Sequence, residues 1–286
     1  MMIRNAESSR SPHYGMHHLP HSDMSNPNLA DLFETHFEVV PADQDHMLEQ
    51  VFRIRHQVYC EELGFEPSRE NQLEQDDFDK NAIHCLLLHK RSQTYVGCVR
   101  LVLSDSLAPD VGFPFEQVCG ESVRWSFDHA IGKGRKQYGE ISRLAITAAF
   151  RRPRNFVAPP DGKHPTLDAR DEEARQLFPS IAVGLYLAVA AMSLNKGLDG
   201  VFAMMEPRLA RQLSRFGFKC QTAGDAVEHR GTRVPYFISS HTLMDTLKSE
   251  CQTLLRKIQG CMAMPYAPYA IRRGLSVSSP VDLRGA

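Results

Sequence analysis

Apolar positions change their period along this chain, and each change marks an element. Phe37–Val40 (FEVV) reads as a short strand. After Pro41-Ala42-Asp43 the period lengthens: Met47, Val51, Ile54 and Val58 form a stripe at helical spacing that runs to about Glu62. Asp43 is the expected N-cap and Gly64 the expected stop, while Arg55 and Tyr59, four apart, share another face. Ile83–His89 and Tyr95–Leu103 read as a hairpin turning at Lys90–Thr94. Residues 104–137 are irregular and include the segment Phe113–Cys119; the strand Tyr138–Thr147 (YGEISRLAIT) follows. A long helix spans roughly Glu172–Asn195 and ends on Lys196-Gly197. Next come a strand at Asp199–Met205 and a helix opened by Pro207 and ended at Gly217. Strands at Phe218–Gln221 and Val234–Ser239 and a helix at Leu243–Ile258 complete the pattern.

The middle strands are antiparallel by hairpin logic, and the strand–helix–strand end is capable of parallel pairing. The fold class is therefore α/β (α+β), with one mixed, mainly antiparallel central sheet and helices on both faces. Residues 1–34 read as a disordered leader, 35–247 as one domain, and 248–286 as a C-terminal helix and tail. The leader has no apolar core of a signal peptide, and its His13, His17, His18 and His21 fit no fixed metal spacing. The longest apolar run, 181–194, is too short for roughly 30 Å of hydrocarbon, so no transmembrane segment is expected.

Over 286 residues the net charge is −1, which argues against a general nucleic-acid binder. The 7 cysteines form no C-x-x-C pair. That pattern points to reduced thiols in the cytoplasm, with no disulfide frame and no metal site.

Several charged groups stand where apolar neighbours make them costly. Glu140, Ser142 and Arg143 crowd the front of the 138–147 strand. Alternation puts Glu140 and Ser142 on one face and Arg143 on the other, unless a bulge intervenes. Arg100 lies inside the apolar run VGCVRLVL and needs a carboxylate or solvent. The loop Phe65–Lys80 carries Glu70, Glu74, Asp76, Asp77 and Asp79 and reads mostly as solvated surface, with Phe65 and Phe78 turned back onto the core. Arg151, Arg152 and Arg154, and a stripe of Arg208, Arg211 and Arg215, are basic surface elements.

RIRHQVYCEELGF (53–65), EQDDFD (74–79), VGCVRL (96–101) and GEISRLAI (139–146), in this order, resemble the GNAT-type N-acyltransferases. The likeness is to the acyl-homoserine-lactone synthases, the N-acyl amino acid synthases and, most of all, the PEP-CTERM/exosortase system-associated acyltransferases. LYLAVAAMSLNKGLDGVFAMMEPRLARQLSRFGF (185–218) and HRGTRVPYF (229–237) lean toward the last two branches. The resemblance implies catalytic roles for Glu140, Ser142 and Arg143, and substrate-binding roles for Arg55, Tyr59, Phe65, Asp76, Asp79 and Arg100. It implies a donor thioester on the phosphopantetheine of acyl-carrier protein, no bound cofactor, and a small amine or amino-acid acceptor. Arg151, Arg152 and Arg154 are the candidate carrier-protein contacts. Two departures matter: Phe65 stands at the family tryptophan, and FRRPR (150–154) with a proline-rich linker replaces the pyrophosphate loop of acetyl-CoA enzymes.

A thioester is already activated, so no serine or cysteine nucleophile is required. The acceptor amine must lose a proton, and Glu140 is the candidate base. Backbone N–H groups at 142–147 are candidate oxyanion donors. The charges Arg55, Arg100 and Arg143 against Asp76, Asp79 and Glu140 have two readings: a buried network pinning the acidic loop, or a substrate clamp. The small residues of 181–191 raise the further expectation of room for an acyl chain beside the sheet. The acyl-homoserine-lactone synthase activity with S-adenosylmethionine, and a non-catalytic acyl-binding module, are the alternatives.

Overall fold

A computed structural model describes residues 29–104, 112–123, 127, 134, 137–151 and 178–262. The first described element is a helix, α1 (Leu29–His36), whose Ala30 and Phe33 are buried. Residues 29–34, expected in the disordered leader, thus belong to the core, because one apolar pair one turn apart docks them. Strand β1 (Phe37–Pro41) leads to helix α2 (Asp45–Arg55). The N-cap of α2 is Gln44, not Asp43, and only its backbone carbonyl takes part. The helix then widens into a π-helical turn, His56–Glu62, where Leu63 N–H reaches back five residues to the Val58 carbonyl. Gly64, at φ 62°, ends it as expected.

Strands β2 (Ala82–His89) and β3 (Thr94–Leu103) form the expected hairpin, and β3 pairs with β4 (Tyr138–Ile146). A short helix α3 (Pro114–Cys119) lies between β3 and β4 in sequence. Helix α4 (Phe178–Asn195) crosses from β4 to β5 (Gly200–Met205), and those two strands are parallel. Helix α5 (Pro207–Ser214), strands β6 (Gln221–Thr222), β7 (Val227–Glu228) and β8 (Thr232–Ser239), and helices α6 (Ser240–Thr246) and α7 (Ser249–Cys261) close the described chain.

The sheet order is β1-β2-β3-β4-β5-β8-β6, with β7 beside β8. The fold class read from the sequence holds, but among the described residues the parallel pair is β4–β5 alone. At the chain's end β5 and β8 run antiparallel. The single helix expected at 243–258 is two helices. Lys248 N–H bonds the Phe216 carbonyl, and the Gly217 α-carbon sits against Thr246 and Leu247, so tertiary contact breaks the helix there.

Helix α4 is apolar on all sides and packs between the sheet and the layer formed by α1 and α7. Its Gly184 abuts the Phe33 ring, so the space beside that residue takes a neighbouring side chain instead of an acyl chain. On the other face, α2 covers Leu86, Cys98 and Ala145, while α3 covers Val102 and Phe202. The site lies on that face.

Strand β4 carries an extra residue. Cys98 pairs with Ala145 and Arg100 with Ser142, so one residue of β3 faces two of β4, Arg143 and Leu144. Arg143 has φ 50°. Ile141 and Ile146, an odd five apart, both enter the α4-side core, which regular alternation forbids. The bulge therefore brings Arg143 onto the face of Glu140 and Ser142, correcting the expected opposition.

Candidate functional site

Arg55 and Arg100 are fully buried and are held by acids of the 65–80 loop. Arg55 pairs through Nε with Glu74 and through Nη1 with Asp79 at 2.7 Å. Arg100 Nη1 bonds Asp76 and, at 2.8 Å, Asp79, while its Nε donates to Ser142 Oγ at 3.0 Å. Arg143 reaches Asp76 at 3.1 Å, Glu74 at 3.2 Å and Glu66 at 3.3 Å. The loop is thus not solvated surface throughout: Glu74 is 0% and Asp79 4% exposed. Burying an unpaired carboxylate costs several kcal/mol, and three guanidiniums offset that cost. Burial pushes the Asp79 carboxyl up, but Arg55 and Arg100 outweigh it and hold the group well below the usual carboxylate range. Glu74 is lowered in the same way, burial being overcome by Arg55 and Arg143.

The spacing of Asp76 and Asp79 has a local reason. Asp76 accepts the Phe78 N–H at 3.0 Å, and Asp79 accepts the Asp76 N–H at 2.8 Å. This reciprocal capping starts the short helical turn Asp77–Asn81 and aims both carboxylates at the sheet.

Glu140 stands apart from the ion network. The third acid of the charge set is Glu74, and among the described residues Glu140 has no guanidinium ion pair. It is 3% exposed and accepts one backbone N–H, from Phe115 in α3, at 2.8 Å. Burial is the main cause that pushes its pKa to about 8; the Phe115 bond and Arg100 oppose it.

A cleft of ≈ 710 Å³ opens over these groups. Tyr59, Phe65, Asp76, Glu140, Ser142 and Arg143 line it, whereas Arg55, Asp79 and Arg100 sit behind its wall. Its apolar lining comes from Phe78, Val102, Leu103, Phe113, Phe115 and Met204. The β4–β5 ladder ends at Ile141 opposite Ala203, while β4 continues along β3 to Ile146 and β5 along β8 to Met205. The two strands therefore part at the cleft after Ile141, one residue beyond Glu140.

Tyr59 donates its hydroxyl to the Leu144 carbonyl at 2.8 Å and carries the Arg143 guanidinium over its ring at 5.7 Å. Burial pushes its phenol up to about 12, so it is a structural donor at neutral pH. Arg151 lies elsewhere, paired with Glu62, which also accepts the Ala148 N–H at 3.0 Å. Arg152 and Arg154 lie outside the described residues.

Sequence reasoning assigned no role to Glu66, Glu74, His229, Arg230 or Arg233. Glu74 shares a run of acids in which composition does not tell an inward side chain from an outward one. Its one signal is Leu73, which packs partly buried against the α2 core.

Residues 54–158 match the model of a family described as acetyltransferase (GNAT) domain. That segment holds the α2 arginine, the acidic loop, the hairpin and β4. The GNAT-type resemblance is borne out over that segment, and the match supports an acyltransferase. No curated protein matches the chain. Among solved structures it is similar to the AHL synthase LasI, with 16% identity, 78% of this chain and 95% of that one covered, and a TM-score of 0.48. It is also similar to FeeM, an N-acyl amino acid synthase from uncultured soil microbes, at 12% identity, 74% and 94% coverage and a TM-score of 0.48. A third is MesI, a CoA-dependent acyl-homoserine lactone synthase, at 18% identity, 78% and 95% coverage and a TM-score of 0.46. No helix among the described residues is long and apolar enough to cross a membrane.

Proposed function

We propose that this protein transfers a long-chain fatty acyl group from the thioester of acyl-carrier protein to the amine of an amino acid, forming an N-acyl amide in the cytoplasm. One observation carries the reading: Glu140, buried and outside the ion network, stands where β4 and β5 part at an aromatic-walled cleft.

The chemistry follows from that position. Burial raises the Glu140 pKa to about 8, which makes it a stronger base than an ordinary carboxylate and narrows the free-energy gap to the acceptor ammonium. The freed amine attacks the thioester carbonyl and forms the C–N bond, the C–S bond breaks, and the second proton lost from nitrogen ends on the leaving thiolate. Ser142 Oγ accepts from Arg100, which leaves its own hydroxyl hydrogen for the oxyanion. Backbone N–H groups of β4 beyond Ile141 are further candidate donors. An extended phosphopantetheine arm suits the gap between the strands, since unpaired strand edges bind extended chains. Phe78, Phe113, Phe115 and Met204 suit the start of an acyl chain. Arg55, Asp76, Asp79 and Arg100 then act by positioning the loop and Ser142.

The test is purified protein incubated with long-chain acyl-carrier protein and, separately, acyl-CoA, against a panel of amines. Amine-dependent release of free thiol with a mass-shifted amide supports the reading. A lactone that requires S-adenosylmethionine, or acyl binding without thiol release, defeats it.

A further inference from the structure

The β7–β8 hairpin adds a charged wall to the cleft that no step above uses. His229, Arg230 and Arg233 all line the cavity. The hairpin turn is closed by His229 N–H to the Gly231 carbonyl at 3.0 Å and by Gly231 N–H to Glu228 at 3.0 Å. Arg230, at φ 55°, lies over the Phe65 ring at 5.9 Å and pairs with Glu66 at 2.7 Å. Arg233 Nη2 reaches the Arg230 carbonyl at 3.3 Å, and its Nη1 meets Glu206 at only 3.4 Å. Glu66 in turn links Arg230 to Arg143.

Three guanidiniums thus line the cleft: Arg143 and Arg230 share Glu66, and Arg143 also holds Asp76, while Arg233 meets Glu206. Like charges gathered in a partly buried cleft repel one another unless an anion joins them. The field there is positive: after burial, Arg230, Arg233 and Arg143 are the causes that depress the His229 pKa. Each guanidinium has five N–H donors in a fork that fits a carboxylate. Arg55 and Arg100 are fully buried among their own acids and do not line the cleft, so they cannot serve this purpose.

We infer that Arg230 and Arg233 form an anion subsite for the carboxylate of the acceptor, and so make an α-amino acid the preferred amine. This rests on the acyl-transfer reading for what occupies the cleft. The same cleft also carries Glu140, Asp76 and Asp77, which suit the ammonium end of a zwitterion. The phosphate of a phosphopantetheine arm is the other available anion. That phosphate is a whole arm away from its sulfur, whereas an α-carboxylate is one carbon from its nitrogen. The carboxylate must therefore share the cleft with Glu140, and the phosphate need not.

The experiment is calorimetric titration of the full chain with a panel of long-chain N-acyl amino acids and with the carboxamide of each. In the wild type the best free acid binds about tenfold or more tightly than its carboxamide. Arg230→Gln and Arg233→Gln each shrink that ratio, and Arg233→Lys, which keeps the charge, restores part of it. Equal binding of acid and carboxamide, no binding of either, or a ratio that survives the double glutamine variant overturns the proposal. So does a double variant that loses acyl-CoA affinity while the acid-to-carboxamide ratio stays intact, since the arginines then hold the donor phosphate. A wild type that discriminates the acid but releases no thiol from any donor sinks the acyl-transfer reading alone.

Discussion

Tyr59 Oη donates to the carbonyl of Leu144 at 2.8 Å, across 85 residues of chain, and so fastens the π-helical turn after α2 to the bulge of β4. The same ring lies under the Arg143 guanidinium. One side chain thus sets both the backbone kink and the arginine that the kink redirects. Tyr59→Phe keeps the ring and removes the bond. It is expected to cost about 1 kcal/mol of stability in urea unfolding. It should also lower kcat more than KM, because Arg143 and the adjacent backbone lose their fixed position.

Asp79 is the acid shared by Arg55 and Arg100. Asp79→Asn leaves two buried guanidiniums undercompensated and should cost about 3–5 kcal/mol. The pH response has a defined sign. Asp79 and Glu74 have lowered pKa values in the folded protein, so their contribution is fully present above the unfolded carboxylate pKa of about 4. It is lost as pH falls further through the folded values. The acid limb of a stability–pH curve should be steep in the wild type and flatter in Asp79→Asn.

Glu140 has the reverse sign. Its folded pKa, about 8, lies above the ordinary value of 4.5, so the folded state holds more protons between them. Its contribution to stability therefore declines as pH rises from about 4.5 to about 8. Glu140→Gln should escape that decline and exceed the wild type in stability at high pH. The same variant is expected to lose about 10²–10⁴-fold in turnover. In the wild type, turnover should rise with pH through about 8 as the carboxylate forms. A variant that unfolds, or a pH–rate profile flat across that range, assigns Glu140 to structure instead.

Gly184 of α4 abuts the Phe33 ring of α1, which occupies the place of a β-carbon. Gly184→Leu should expel Phe33 and cost roughly 3 kcal/mol by overpacking. The sign of success is a lowered melting temperature together with new proteolytic cleavage near residue 33, while added Glu140-dependent chemistry stays measurable below the melt.

Much of this was legible in the chain. The β2–β3 hairpin follows from two apolar runs around a polar turn, and α4 from a run apolar at every position. Arg100 in its apolar strand announced a buried partner, and Asp76 and Asp79 supplied it. What escaped has physical reasons. A bulge leaves no mark in alternation, since Arg143 and Leu144 are ordinary residues. The break at Leu247–Lys248 depends on Phe216 and Gly217, far from helix periodicity. Phe218–Gln221 has strand-like composition, yet only Gln221 and Thr222 pair, with β8. The LADLFETH helix was too short to stand out beside a polar leader. The inward turn of Glu74 is set by Arg55 and Arg143, which lie outside its own segment.

The surplus residue in β4 makes strand length itself a coded quantity. Removing Leu144 would restore simple alternation: Ile146 would keep its place beneath α4, but Arg143 would turn into that greasy layer. Loop grafting that miscounts this strand by one would therefore take Arg143 away from Asp76, Glu74 and Glu66.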